Sequence, residues 1–329
     1  MRKIAAYALL LLIFSGLASA LLQGQQPARA DQAGKDDGFK IGVEVNMVTV
    51  PITVRKHEGG FLKGLLKTAF HIYEDGEPQE IVFFAQEGLP TRIAIVLDNS
   101  GSVRSEWGTI KYATKKFVEN LKPDDEFALI TFNTEIRLKL DWGRKTDRVD
   151  PILSAVYCKD NTKLYDAIWV VSNEVFKNVK EKKAMIIMSD GLDNESGVTY
   201  KEALQEAIRS EAVIYVVSKT EAVRRLMEYQ SRGPYDTIPQ RVFIQADTTL
   251  RQLAYETGGR VLYPNSFGQL DNIYAQVDEE LRNQYTLGYI STNTMKDGSY
   301  RRIDVRVDAP DATVSARPGY FSPDQLAKK

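Results

Sequence analysis

Four short apolar runs constrain this chain more than anything else in it: residues 93–97 (IAIVL), 127–131 (FALIT), 184–188 (AMIIM) and 213–217 (VIYVV). A strand with one wet face alternates apolar and polar residues. These runs are nearly continuous, so both of their faces must be covered, as in a parallel sheet. Between them apolar residues recur at helical spacing. Trp107, Ile110, Ala113, Phe117 and Leu121 fall on one stripe, as do Leu164, Ile168, Val171 and Val175, and later Leu270, Ile273, Tyr274, Val277 and Leu281. Strands alternating with amphipathic helices predict an α/β fold: a doubly wound, mostly parallel, Rossmann-like sheet flanked by helices.

On either side of this region the period drops to two. Val48, Val50, Ile52 and Val54 alternate with Thr49, Pro51 and Thr53, and Ile303, Val305 and Val307 alternate with Arg302, Asp304, Arg306 and Asp308. Asp75-Gly76 and Lys296-Asp297-Gly298 carry turn chemistry. Pro51 has no N–H to give to a ladder, which points to an edge or a bulge. Neither flank is long enough for a secure core of its own. The expected organisation is therefore an N-terminal β-segment (40–88), an α/β domain (90–284) and a C-terminal β-segment (285–321). The two β-segments are expected to pair into one smaller, β-sandwich-like domain that carries the α/β domain as an insertion. The alternative is two separate β-extensions packed on the α/β domain.

The first residues have the look of a targeting segment. Arg2 and Lys3 precede an apolar stretch over residues 4–17, and Ala18-Ser19-Ala20 is an A-x-A cleavage site. We expect a signal peptide over 1–20, with Ala28-Arg29-Ala30 as a later cleavage site at 30, and a polar, disordered lead-in over 31–39. The alternative is a retained anchor, although the run is shorter than the roughly 20 residues a membrane span needs. The expectation is an exported protein, periplasmic or secreted to the cell surface, without stable membrane insertion. The chain has one cysteine, so it can form no internal disulfide, and Cys158 reads as a small buried hydrophobe. With 43 basic and 44 acidic residues, nothing steers the chain toward nucleic acid.

Polar chemistry gathers directly after the apolar runs. Asp98-Asn99-Ser100-Gly101-Ser102 follows the first run, Ser189-Asp190-Gly191 closes the third, and Asn161-Thr162-Lys163 leads into the second helical stripe. Ligands of open α/β sheets bind at the carboxyl ends of the strands. Two carboxylates and three hydroxyls are hard oxygen donors, which suit Mg²⁺. The competing role for Thr162 is to cap the helix that starts at Leu164. The neighbouring Asp166, Asp193, Asn194 and Glu195 could bind a second ion, but solvated loop charge is the reading preferred here.

The D-x-S-x-S, Thr and Asp combination resembles the metal-ion-dependent adhesion site of von Willebrand factor type A domains, over about residues 90–284. The flanking stretches, VPITVRKHEGG to EIVFF and QYTLGYI to RPGYF, resemble bacterial exported proteins carrying such a domain. The resemblance implies that Ser100, Ser102 and Thr162 bind a divalent ion largely directly, and Asp98 and Asp190 largely through water. The ion implied is Mg²⁺, with Mn²⁺ or Ca²⁺ as alternatives, and an open coordination position would take a carboxylate from a protein partner. Residues 219–247 follow the fourth run at the same edge, where Arg224, Arg225, Arg232 and Arg241 could form a rim for an acidic partner; an ordinary solvated helix and loop is the alternative. By analogy with related domains, the last helix could transmit a shift into the C-terminal segment.

Catalytic motifs are missing. His57 and His71 are the only histidines and both lie in the β-segment, and no G-x-S-x-G, P-loop, G-x-G-x-x-G or H-E-x-x-H occurs. We expect a metal-dependent binding or adhesion module and not an enzyme. The alternatives are a structural component of the cell envelope whose metal site only stabilises the fold, and a metal-dependent hydrolase.

Overall fold

The computed structural model describes residues 47–86, 89–144, 148–159, 161–220 and 240–324. Four strands come first: β1 (Met47–Lys56), β2 (Phe70–Glu74), β3 (Glu77–Gln79) and β4 (Ile81–Gln86). The α/β region runs β5 (Thr91–Asp98), α1 (Trp107–Asn120), β6 (Glu126–Phe132), β7 (Ile136–Gly143), α2 (Val149–Ser154), α3 (Leu164–Val170) and β8 (Lys182–Ser189). It continues with α4 (Tyr200–Arg209), β9 (Val213–Ser218), α5 (Gln240–Glu256), β10 (Val261–Leu262) and α6 (Leu270–Arg282). Strands β11 (Tyr285–Ile290), β12 (Tyr300–Val307), β13 (Ala312–Ser315) and β14 (Gly319–Phe321) close the chain. The proposed signal peptide and lead-in lie outside the described residues.

The four apolar runs take the four inner places of a six-stranded sheet, ordered β10-β9-β8-β5-β6-β7. All neighbours are parallel except β6 and β7. Alternate residues of each inner strand enter opposite cores, which is why the runs lack alternation. Ile93, Ile95 and Leu97 face α1, α2 and α6, meeting Phe117, Leu153 and Tyr274. Ala94 and Val96 face α3, α4 and α5, meeting Ile168, Ala207 and Leu253. The edges need no second cover: β10 is two residues long, and β7 is half-exposed and carries Arg137, Lys139 and Asp141. Neither edge strand was expected from the sequence, because β10 is too short and β7 too polar to give a signal.

The flanks pair with each other. In one four-stranded sheet, β13-β1-β11-β4, Val50 stands opposite Leu287. In the other, β14-β12-β2-β3, Ile72 stands opposite Val305. Their inner faces share one core of Val50, Ile52, Val54, Phe70, Ile72, Tyr285, Leu287 and Tyr289. Asp75 and Gly76 both have positive φ, 49° and 92°, as a tight hairpin between β2 and β3 requires. Pro51 sits in an inner strand and not at the sheet edge; there β1 pairs with β11, while β13 covers only Thr53–Lys56. One side of Pro51 is therefore edge-like, and its missing N–H leaves no gap in a ladder.

The described residues form one unit, and α6 ties its two parts together. Glu280 of α6 is buried and bonds to Arg55 and Thr53 of β1, and to Arg260 at 2.7 Å. Gln284 donates to the Tyr215 hydroxyl of β9 at 2.9 Å. Among the described residues no helix is long and apolar enough to cross a membrane.

A second buried carboxylate holds the two small sheets together. Glu74 of β2, 2% exposed, accepts from the hydroxyls of Tyr289 (2.7 Å) and Tyr320 (3.0 Å) and from Arg301 (3.2 Å). Removing it leaves the buried Arg301 guanidinium its carbonyl and hydroxyl acceptors but no counter-charge. Glu74→Ala should therefore cost about 3–5 kcal/mol of stability, read as a lower urea midpoint; a change within error would show that the network contributes nothing.

Candidate metal centre

The site forms where β5, β8 and β9 end side by side. Asp98 is the last residue of β5 and is fully buried. Past it the chain turns on main-chain bonds: Asn99 donates to Phe132 O at 3.0 Å, and Lys159 donates to Asn99 O at 3.1 Å. The Asn99 amide anchors the turn further, donating to Tyr157 O at 2.8 Å. The N–H of Ser100 reaches back to Asp98 Oδ1 at 2.8 Å, and the Ser100 and Ser102 hydroxyls lie 2.9 Å apart. The D-x-S-x-S spacing thus bends three oxygen-bearing side chains onto one spot.

Asp190 arrives from the end of β8. Its Oδ1 accepts from Leu192 N at 3.1 Å. Gly191 makes this turn at φ +80°, and a Cβ there would stand 2.7 Å from Ala246 O of α5, so only glycine fits. Thr162 comes from the third segment and is also buried. Asn194 clamps its loop to the Asp190 loop in both directions: Thr162 N donates to Asn194 Oδ1 at 2.9 Å, and Asn194 N to Thr162 O at 3.1 Å. Thr162 does not cap α3, whose N-cap residue is Lys163 with no side-chain cap bond. Its hydroxyl makes no hydrogen bond among the described residues.

The nearby acids stitch loops. Asp166 accepts from the N–H groups of Gly197 (2.8 Å) and Val198 (3.0 Å), and Asp193 accepts from Tyr165 N (3.2 Å) and the Ser196 hydroxyl (2.5 Å). Asn161 bonds to Glu195. Asp166 and Asp193 are thus held within the loops, whereas Asn194 and Glu195 are exposed, as expected of solvated loop polarity.

The centre of the cluster holds a residue the sequence reading did not place there. The Lys219 ammonium lies 2.7 Å from Asp98 Oδ2, 3.1 Å from Ser100 Oγ, 2.9 Å from Ser102 Oγ and 3.5 Å from Asp190 Oδ2. Lys219 is 0% exposed. It is the first residue after β9, and its N–H continues the ladder to Ser189 O at 3.1 Å. Strand β9 lies two places from β5, about 9–10 Å at the usual strand spacing, so the side chain stretches past Asp190 to reach Asp98. Burial pushes the Asp98 carboxyl above its ordinary value; the Lys219 ammonium opposes this rise and Asp190 adds to it.

The donor set fits a hard cation. The ammonium demonstrates as much, since four oxygens from the ends of two strands converge on one positive centre. Of the expected rim, Arg224, Arg225 and Arg232 lie outside the described residues, and Arg241 is exposed on the first turn of α5. The histidines are elsewhere: His57 is in the turn after β1, and His71 of β2 contacts Asp308 at 3.0 Å. Cys158 is half-buried against the α1-side core, and burial raises its thiol.

A family model for the von Willebrand factor type A domain matches residues 93–276, more than half of the chain. The chain belongs to the von Willebrand factor type A family. Solved structures similar to it include a von Willebrand factor type A protein from Catenulispora acidiphila (12% identity, 79% of this chain and 75% of that one, TM-score 0.46). Another is the pilus adhesin SpaC from Lactobacillus rhamnosus GG in an open conformation (10%, 83% and 48%, TM-score 0.47). A third is proximal thread matrix protein 1 from the mussel byssus with a zinc-occupied MIDAS motif (16%, 59% and 48%, TM-score 0.43). No curated protein matches the chain. Domains of this family generally serve adhesion and interaction.

Two substitutions separate the roles of the site residues. Asp98→Ala leaves the buried Lys219 ammonium without its closest partner and should cost about 3–5 kcal/mol. Thr162→Ala breaks no hydrogen bond and should cost less than about 1 kcal/mol. Chemical denaturation of both variants checks the pair, and equal losses would contradict this geometry.

Proposed function

We propose that the chain is an exported binding module that captures an acidic group of a protein partner at the β5–β8 edge through a divalent cation, Mg²⁺ in the first place and Mn²⁺ or Ca²⁺ as substitutes. The observation that carries this reading is the convergence of Asp98, Ser100, Ser102 and Asp190 on one cation position in a von Willebrand factor type A chain. Thr162, a buried residue, supports it from the adjacent loop, with a hydroxyl that makes no hydrogen bond among the described residues. A divalent ion supplies, when bound, an electrophilic position for the partner's carboxylate. The protein's part is to hold the two carboxylates and three hydroxyls in place before any ion arrives. The reading includes residues 1–20 as a signal peptide and an arginine rim of Arg224, Arg225, Arg232 and Arg241 around the site. It also takes the two β-segments, 40–88 and 285–321, as one accessory domain with the type A domain inserted; the pairing of β1 with β11 and of β2 with β12 supports this.

One observation favours a second reading, a structural component of the envelope whose site only stabilises the fold. The Lys219 ammonium already satisfies Asp98, Ser100 and Ser102 internally.

The two readings separate in a pull-down from the native envelope in Mg²⁺, with the wild-type chain and Thr162→Ala as baits. Thr162→Ala suits the comparison because it leaves the Lys219–Asp98 pair intact. Capture should be lost in EDTA and with Thr162→Ala, while the melting temperature of that variant stays near wild type. A partner retained equally by Thr162→Ala, or no metal-dependent partner at all, would sink the binding reading.

A further inference from the structure

The oxygens that define the cation position hold a cation belonging to the chain. Lysine is among the residues least often fully buried, and an ammonium enters the interior only where carboxylates and acceptors repay its lost hydration. Lys219 meets that condition with Asp98, Asp190, Ser100 and Ser102, four of the five residues assigned to the metal. This is no surface ion pair formed in passing, since the side chain is wholly enclosed and spans the end of β8 to reach its partner on β5. A Mg²⁺ ion sits about 2.0–2.1 Å from its oxygen ligands. An ion using these oxygens would overlap the place of the ammonium, and the two positive charges exclude each other.

We propose that Lys219 is a tethered competitor for this site: its ammonium holds the place a divalent ion takes, and an ion enters only as Lys219 withdraws. The proposal rests on the reading of Asp98, Ser100, Ser102 and Asp190 as a cation site, and on no particular partner. Tethering gives the ammonium an effective concentration on the order of millimolar or above, which lowers the apparent affinity of a free ion for the same oxygens. Charge favours the ion once it is in place. Two carboxylates and one ammonium leave one formal negative charge, whereas a divalent ion neutralises the pair. The lysine-filled site also offers no open coordination position and repels an acidic group, so Lys219 sets both metal affinity and readiness to capture.

The test uses the full chain and Mn²⁺ alone. Wild type, Lys219→Met and Lys219→Gln are titrated with Mn²⁺ by calorimetry and melted in EDTA and in Mn²⁺. Lys219→Met should bind one Mn²⁺ roughly tenfold or more tightly than wild type. Its melting temperature should fall in EDTA and recover in Mn²⁺, while that of wild type stays nearly constant at low Mn²⁺. Lys219→Gln, which removes the charge but keeps a polar side chain, should behave in the same direction if the methionine variant does not fold. Adding Asp190→Asn to either variant should remove the gain, which places the ion at this site. Equal Mn²⁺ affinity in wild type and the Lys219 variants would overturn the competitor and leave the cation site standing. No Mn²⁺ binding by any of them would overturn the cation site itself, and the competitor with it.

Discussion

Burial on both faces leaves the four inner strands of the large sheet only one place to present polar groups, their ends. Ile93 to Leu97 are spent on two cores at once, and the first side chain free of that duty is Asp98. The same holds at the end of β8, where Asp190 follows Ser189. In a parallel arrangement the carboxyl ends of β5, β8 and β9 share one edge, so carboxylates distant in sequence meet there without further design. The loops then need fixing at short range. Asn99, Asn194, Asp166 and Asp193 do this through main-chain bonds, a role for which short polar side chains are well suited.

The cluster so produced is electrostatically incomplete. Two buried carboxylates close together are costly to keep ionised without a positive centre, whether from an ion or from the protein. Lys219 supplies one from the next strand over. That choice couples the stability of the fold to the state of the site, since the same ammonium satisfies Asp98 and occupies the cation position. The small sheets solve a similar problem differently: Glu74 and Arg301 are matched within the sandwich and surrounded by tyrosine hydroxyls, with no exchange of partner to consider. Glu280 does the same between α6 and β1.

Much of this was legible in the sequence because it depends on local period and spacing. The continuous runs place β5, β6, β8 and β9, and the stripes place the buried faces of α1 and α6. The Asp75-Gly76 turn follows from backbone chemistry. Asp98, Ser100 and Ser102 stand two residues apart on one turn, so their convergence is nearly a local property. Strands β7 and β10 left no signal, since a half-exposed edge and a two-residue edge carry little apolar pattern. The role of Asn194 was hidden as well, because its partner Thr162 is thirty-two residues away.

By itself, then, the sequence determined the family and the sheet, which rest on hydrophobic period and short motifs, and it nominated Asp98, Ser100, Ser102, Thr162 and Asp190 as candidate oxygen donors. Only the tertiary structure decided what those donors face. Lys219 lies 121 residues from Asp98, directly after an apolar strand, where a lysine ordinarily extends into water. Its burial depends on strand order: β9 must lie beside β8, and β8 beside β5, before a side chain of that length can reach the carboxylate. No local pattern encodes that adjacency, and so the positive centre of the site became visible only in three dimensions.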